Sequence, residues 1–356
     1  MLPIRRFNAR TGLAVLILLG LSHVACGEST GTEARPFVNP PAAAYGTWTW
    51  DGSNWTHLSQ SVPGVTPSNG VLITGALRYS RDFGGLISFE SVGWMAQRWD
   101  GSRWVADDSL PPKPPNSQAF QWSLTQSPTA YVLWDDAANQ LLDLDIDQQT
   151  VWVWSDTAWK TALAPSSWPK GWAKAQDIWH VGYDPYRREV LMVSHSAGAS
   201  GAVSQTWAWN GKALVRLADF PFDFDLCTTV PDAASQLLAF CGWGAYSWDG
   251  KVWSHLGSVA DDCPPSSSNL LDAHFAFDPS RHQLIAVASD DYLNVHTWLW
   301  QGQTWKELAP AASPPGSNYS MQLAYDPAIK GVVLTTTAPD KLGVQPGFVH
   351  CPGAET

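Results

Sequence analysis

The sequence predicts an all-β fold, a six-bladed β-propeller of four-stranded blades. Three observations predict it. An aromatic hairpin recurs six times along the 356 residues, an apolar hairpin recurs six times between its copies, and no stretch shows capped helical periodicity. Composition agrees: 28 Gly and 26 Pro with 15% charged residues describe a chain of strands and turns.

The aromatic hairpin first reads Trp48-Thr-Trp50-Asp51-Gly52-Ser-Asn-Trp55. It returns at Arg98-Trp99-Asp100-Gly101-Ser-Arg-Trp104, Trp152-Val-Trp154 with Trp159, Trp207-Ala-Trp209-Asn210-Gly211, Tyr246-Ser-Trp248-Asp249-Gly250-Lys-Val-Trp253 and Trp298-Leu-Trp300-Gln301-Gly302-Gln-Thr-Trp305. Trp-x-Trp is a period-2 strand with both rings on one face. Asp-Gly or Asn-Gly predicts a tight hairpin turn with positive φ, and the next Trp opens the return strand. The central Trp residues lie 49, 55, 55, 39 and 52 apart, so one period is near 50 residues.

The apolar hairpin is an Asp/Pro turn between two apolar runs. Phe277-Asp278-Pro279 precedes Leu284-Ile-Ala-Val-Ala, Tyr325-Asp326-Pro327 precedes Val332-Val-Leu-Thr, and Tyr183-Asp184-Pro185 precedes Val190-Leu-Met-Val. Trp134-Asp135, Val230-Pro-Asp232 and Tyr79-Ser80-Arg81-Asp82 open the other three copies. Near-continuous apolar runs are expected where neighbouring blades cover both faces. The chain opens on an aromatic hairpin and ends on an apolar one. The hairpin at 47–58 should therefore complete the blade begun at 321–336 and leave no free edge.

With that plan the chain resembles the kelch-like propeller repeats of bacterial exported proteins, similar in shape to the central domain of galactose oxidase. The resemblance covers about 46–350 and implies a fold. The Gly-Gly pair of kelch blades is replaced here, for example by Ser194-His195 and Ser289-Asp290. No copper-site residues carry over.

The N-terminus reads as an export and anchoring signal. Arg5, Arg6 and Arg10 precede the apolar run Thr11 to Leu21, and His23-Val24-Ala25-Cys26 resembles a lipobox. The expected organisation is a lipoprotein signal peptide over 1–25, lipidation at Cys26, a flexible Gly/Ser/Thr/Pro-rich tether over 26–45, and the propeller over 46–356. This places the protein on the bacterial cell envelope, held to the bilayer through Cys26. Removing the signal lowers the formal net charge from −11 to −14, which argues against nucleic acid as a partner. Four cysteines remain in an oxidising setting. Cys227 and Cys241 flank the Asp232 turn, and antiparallel pairing centred near Ala234 sets them opposite one another; Cys263 and Cys351 are the other disulfide candidates.

Repeated Trp residues are expected to pack between blades. Aromatics outside the repeat are the ligand candidates: Trp94, Trp122, Trp168, Trp172, Trp243 and Tyr292, with Asp290 and Asp291 beside the last. They fall in connections that should share one face of the disc, and loops on a rigid scaffold commonly bind. Asp143, Asp145 and Asp147 alternate, but Gln148 stands where a calcium loop needs Gly, so they read as solvated acids at a strand end. No metal or other cofactor is expected, and no linear motif of a metalloprotease, serine hydrolase or phosphate loop occurs. The function expected is a binding propeller engaging a glycan or an extracellular protein; the alternative is an exported propeller enzyme acting on glycans.

Overall fold

The computed structural model describes residues 45–62, 76–81, 83–89, 96–115, 130–155, 157–170, 172, 177–198, 201–220, 227–241, 244–258, 273–289, 294–316 and 321–336. The strands alternate exactly as often as the two repeats demand, giving six separate four-stranded antiparallel sheets. The first hairpin of the chain is β1 (Gly46–Trp50) and β2 (Trp55–Ser59). Blade I follows with β3 (Ala76–Ser80), β4 (Gly85–Phe89), β5 (Ala96–Trp99) and β6 (Trp104–Ala106). Blade II holds β7 (Ala130–Asp135), β8 (Gln140–Asp145), β9 (Thr150–Ser155) and β10 (Ala158–Leu163). Blade III holds β11 (Asp177–Asp184), β12 (Glu189–Gly198), β13 (Gly201–Trp209) and β14 (Leu214–Phe220). Blade IV holds β15 (Cys227–Pro231), β16 (Leu237–Cys241), β17 (Gly244–Trp248) and β18 (Trp253–Ser258). Blade V holds β19 (His274–Asp278), β20 (Gln283–Ser289), β21 (Val295–Trp300) and β22 (Trp305–Leu308). The chain's last described hairpin is β23 (Gln322–Asp326) and β24 (Gly331–Thr336).

Closure is as the hairpin order requires. β1 pairs antiparallel with β24, Trp50 opposite Val332 and Gly46 opposite Thr336, so blade VI is built from both ends of the described chain. The innermost strands touch in cyclic order, β3 to β7, β11, β15, β19, β23 and back to β3, which closes a ring about the disc axis. Among the described residues no helix is long and apolar enough to cross a membrane.

Cores lie between blades. Trp50, Val332 and Leu334 of blade VI meet Ile285 and Val287 of blade V; Leu191 and Val193 of blade III meet Trp248 and Tyr246 of blade IV. Rings of paired strands meet as well, with centroids 5.3 Å apart for Trp50–Trp55 and 5.0 Å for Trp300–Trp305. A second device ties three of the outer strands to the blade before. The indole N–H of Trp55 donates to Thr297 Oγ1 at 2.9 Å, that of Trp104 to Thr47 Oγ1 at 2.9 Å, and that of Trp253 to Thr206 Oγ1 at 2.8 Å. All three Thr residues immediately precede a Trp-x-Trp strand. Where blade II has Val151 in that place, blade III carries Leu214 instead of the partner Trp, so no indole N–H is left to satisfy.

The aromatic turns carry the positive φ expected at their Gly, while the Asp or Asn before it keeps a negative φ and caps the loop instead. Asp51 Oδ1 accepts the backbone N–H groups of Ser53 and Asn54, both at 2.8 Å, and only Gly52, at φ +103°, is left-handed. Asp100, Asn210 and Asp249 repeat the arrangement. The side chain, not a pair of left-handed residues, closes the loop. Gly250 has a second constraint: a Cβ there would sit 2.3 Å from Arg187 Nε of blade III. In the apolar hairpins Asp135, Asp184, Asp232, Asp278 and Asp326 cap their turns in the same way.

Candidate functional site

The strand order gives the disc two unlike faces. On one, the turn face, lie the short hairpin turns, most of them closed by an Asp or Asn side chain, such as Asp51–Asn54 and the turn after Asp278. Their lengths hardly vary. On the other, the connection face, chain passes between blades over 60–75, 107–129, 164–176, 221–226, 259–273 and 309–321. It also joins the two hairpins of a blade over 90–95, 146–149, 199–200, 242–243 and 290–294. These connections run from two residues to twenty-three. Turn geometry is thus held constant on one face, and sequence is free to vary on the other.

The expected ligand aromatics divide accordingly. Trp94, Trp122, Trp243 and Tyr292, with Asp290 and Asp291, belong to the connections and lie outside the described residues, as do Cys26, Cys263 and Cys351. Trp168 and Trp172 are described, and both correct the expectation. They are 7% and 5% exposed, meet each other edge to face at 5.4 Å, and Trp172 packs on Trp207 at 5.0 Å. Their area is spent sealing the seam between blades II and III. The reason is local: Pro165–Ser167 forms a single 3₁₀ turn whose hydrogen bond from the Trp168 N–H folds the connection back onto the blades.

Blade II supplies the opposite surprise. Trp152, Trp154 and Trp159 are only half-buried, whereas their aromatic counterparts in the other blades are buried. β5 and β6 of blade I, with four and three residues, are too short to cover them. Trp159 Nε1 donates to the Pro112 carbonyl at 2.6 Å, and Trp154 meets Trp159 edge to face at 5.6 Å. The pair stands at the rim, beside the turn face.

Asp143 and Asp145 also depart from expectation. Both are 0% exposed, because β8 is flanked by β7 and β9 and covered by neighbouring blades; Asp147, in the turn beyond, is exposed as expected. Asp145 Oδ1 accepts the Gln148 N–H at 2.9 Å, which makes it a turn cap. Among the described residues, no group of three or more His, Cys, Asp or Glu is placed to hold a metal. The register sets Cys227 opposite Cys241, as pairing about Ala234 required.

The axial lumen gathers the remaining chemistry. Arg78, on β3, is walled in by protein yet wetted by the lumen, and burial pulls its guanidinium pKa down while Asp136 opposes that shift. A cavity of about 10 Å³, room for one water, lies against it and Ile87, Leu133 and Trp134. Asp136, at the turn after β7, is pushed up by burial, with Arg78 and Arg81 acting against the shift. Tyr183 is raised to about 12 by burial and then by Asp135 and Asp136. His274, on β19, is lowered to about 4 by burial, so its imidazole is neutral at pH 7.

No family model matches this chain, and no curated protein matches it. Solved structures do. A gluconolactonase of Xanthomonas campestris is 14% identical, with a TM-score of 0.45, over 74% of this chain and 86% of that one. The fucose-specific lectin of Aleuria aurantia is 14% identical, with a TM-score of 0.44, over 71% and 85%. AofleA of Arthrobotrys oligospora is 12% identical, with a TM-score of 0.44, over 71% and 76%.

Proposed function

We propose that the propeller is a binding module that engages a glycan through its connection face. The observation that carries this is the contrast between the faces: short hairpin turns of nearly constant length on one, connections of two to twenty-three residues on the other. The off-repeat aromatics Trp94, Trp122, Trp243 and Tyr292 fall in those connections, and an aromatic face suits the apolar face of a sugar ring. The test is a broad glycan array read with protein starting at Gly27. Expected is binding that alanine at Trp94, Trp122, Trp243 or Tyr292 weakens at least tenfold, with Trp154→Ala and Trp159→Ala unchanged. Binding lost in the rim variants and kept in the connection variants would move the site to the turn-face rim and overturn the assignment. Release of sugar products during incubation would favour the enzyme reading.

We further propose that the chain is exported, lipidated at Cys26 and oxidised at Cys227–Cys241. The lipobox-like run and the opposed register support this. Expression behind its own leader should give palmitate label that Cys26→Ser abolishes, and a Cys227–Cys241 cross-linked peptide in non-reducing digests. Unlabelled wild-type protein with both thiols free would count against export.

A further inference from the structure

We propose that the axial lumen at Arg78 binds the carboxylate of a small organic anion. This site is separate from the connection-face ligand, and its test uses no glycan array.

The first argument is position. Arg78 stands two residues before the turn residue Ser80 of its innermost strand. The same place in the other five blades holds Leu133, Gly182, Val230, Ala276 and Ala324. Packing at this level asks for an apolar or small side chain, and five blades supply one. A guanidinium there adds nothing to the seam between blades I and II, whose other members, Ile87, Val132 and Leu141, are apolar.

The second argument is what the guanidinium lacks. Its hydrogen bond is from Nη1 to the Leu77 carbonyl, at 3.0 Å. Among the described residues it forms no ion pair within 4.0 Å. Of its five N–H donors, the other four have no protein acceptor among the described residues. The side chain is exposed, on an innermost strand of the closed ring; burial pulls its guanidinium pKa down and Asp136 opposes that shift. An exposed cation on the inner ring, with four donors that no protein group accepts, is a receptor for an acceptor that arrives from outside.

The third argument is chemical class. A guanidinium presents two parallel N–H groups that match the two oxygens of a carboxylate. One positive charge facing Asp136 suits a monoanion; a dianion would meet the Asp136 carboxylate with a second charge. Asp136 follows β7 on the turn face, so the anion enters from the connection face.

The experiment uses the chain from Gly27 in sodium acetate, sodium gluconate, sodium phosphate and sodium chloride at one ionic strength, with melting curves and calorimetric titration. Expected is a Tm that rises with acetate and gluconate concentration over chloride. Arg78→Lys should weaken carboxylate binding about tenfold or more, since the fork is lost and the charge is kept. Asp136→Asn should tighten it several-fold, a gain that a purely structural Arg78 would not produce. Equal Tm values for wild type in carboxylate and chloride overturn the proposal without reference to any variant. Unchanged binding in Arg78→Lys, or phosphate bound more tightly than carboxylate, overturns it as well.

Discussion

Trp50→Ala should be the most damaging single core truncation at the closing seam, at about 3–5 kcal/mol. Trp50 is 0% exposed, pairs with Trp55 across the hairpin and with Val332 across the closure, and packs on Ile285 of blade V. The loss has a second consequence that its counterpart Trp209 does not share. Trp209 belongs to a blade made of consecutive strands, whereas Trp50 belongs to a hairpin joined to its own sheet through β24. Trp50→Ala should therefore free residues 46–59 and expose the β24 edge, and Trp209→Ala should not. Urea unfolding gives the stability of each variant. Limited proteolysis under native conditions then separates them: early cuts within 46–59 are expected for Trp50→Ala, with Trp209→Ala resembling wild type. Identical digestion patterns would show that the seam is held by something other than Trp50.

Stability should fall as the medium is acidified from pH 6.5 towards 4, and His274 should account for about 2–3 kcal/mol of the fall. The folded pKa, about 4, lies below the ordinary 6.5. Between those values the unfolded chain takes up a proton that the folded chain refuses, so acid favours unfolding. Above 6.5 both states are neutral and the effect is absent; below 4 both are protonated and it levels off. His274→Gln removes the titration while keeping a polar side chain. Urea melts of both proteins from pH 7 to 4.5 should diverge, wild type losing more. Parallel curves would mean that the His274 ring is free to protonate in the folded state.

The blade plan was legible because each blade repeats its own chemistry. Trp-x-Trp, the Asp turn and the apolar pair recur often enough to count blades, to order the closure and to set the register at Cys227 and Cys241. What was not legible depended on neighbours distant in sequence. The thin strands of blade I leave Trp154 and Trp159 half-covered, and no feature of blade II reports that. Trp168 and Trp172 lie outside the repeat, yet one 3₁₀ turn folds them onto Trp207. Asp143 and Asp145 look like strand-end acids until β9 and the adjoining blades close over them. Two further signals lie in the sequence. Thr47, Thr206 and Thr297 each precede Trp-x-Trp, and Arg78 is the one charge among six matched inner-strand positions. Aligning the copies on their turn residues would have shown both.

The pairing of β1 with β24 also sets a timetable. Those strands are the first and last of the described disc, so their contact has close to the greatest sequence separation the chain permits. During synthesis, blades I to V can order one after another as their hairpins emerge, each from local pairing. The hairpin at 46–59 cannot. It has no partner until residue 336 has appeared, and until then its Trp-rich strands and the open flank of blade I remain exposed. Completing the described disc therefore depends on how its first-made hairpin is kept from wrong partners while its last-made one is still on its way.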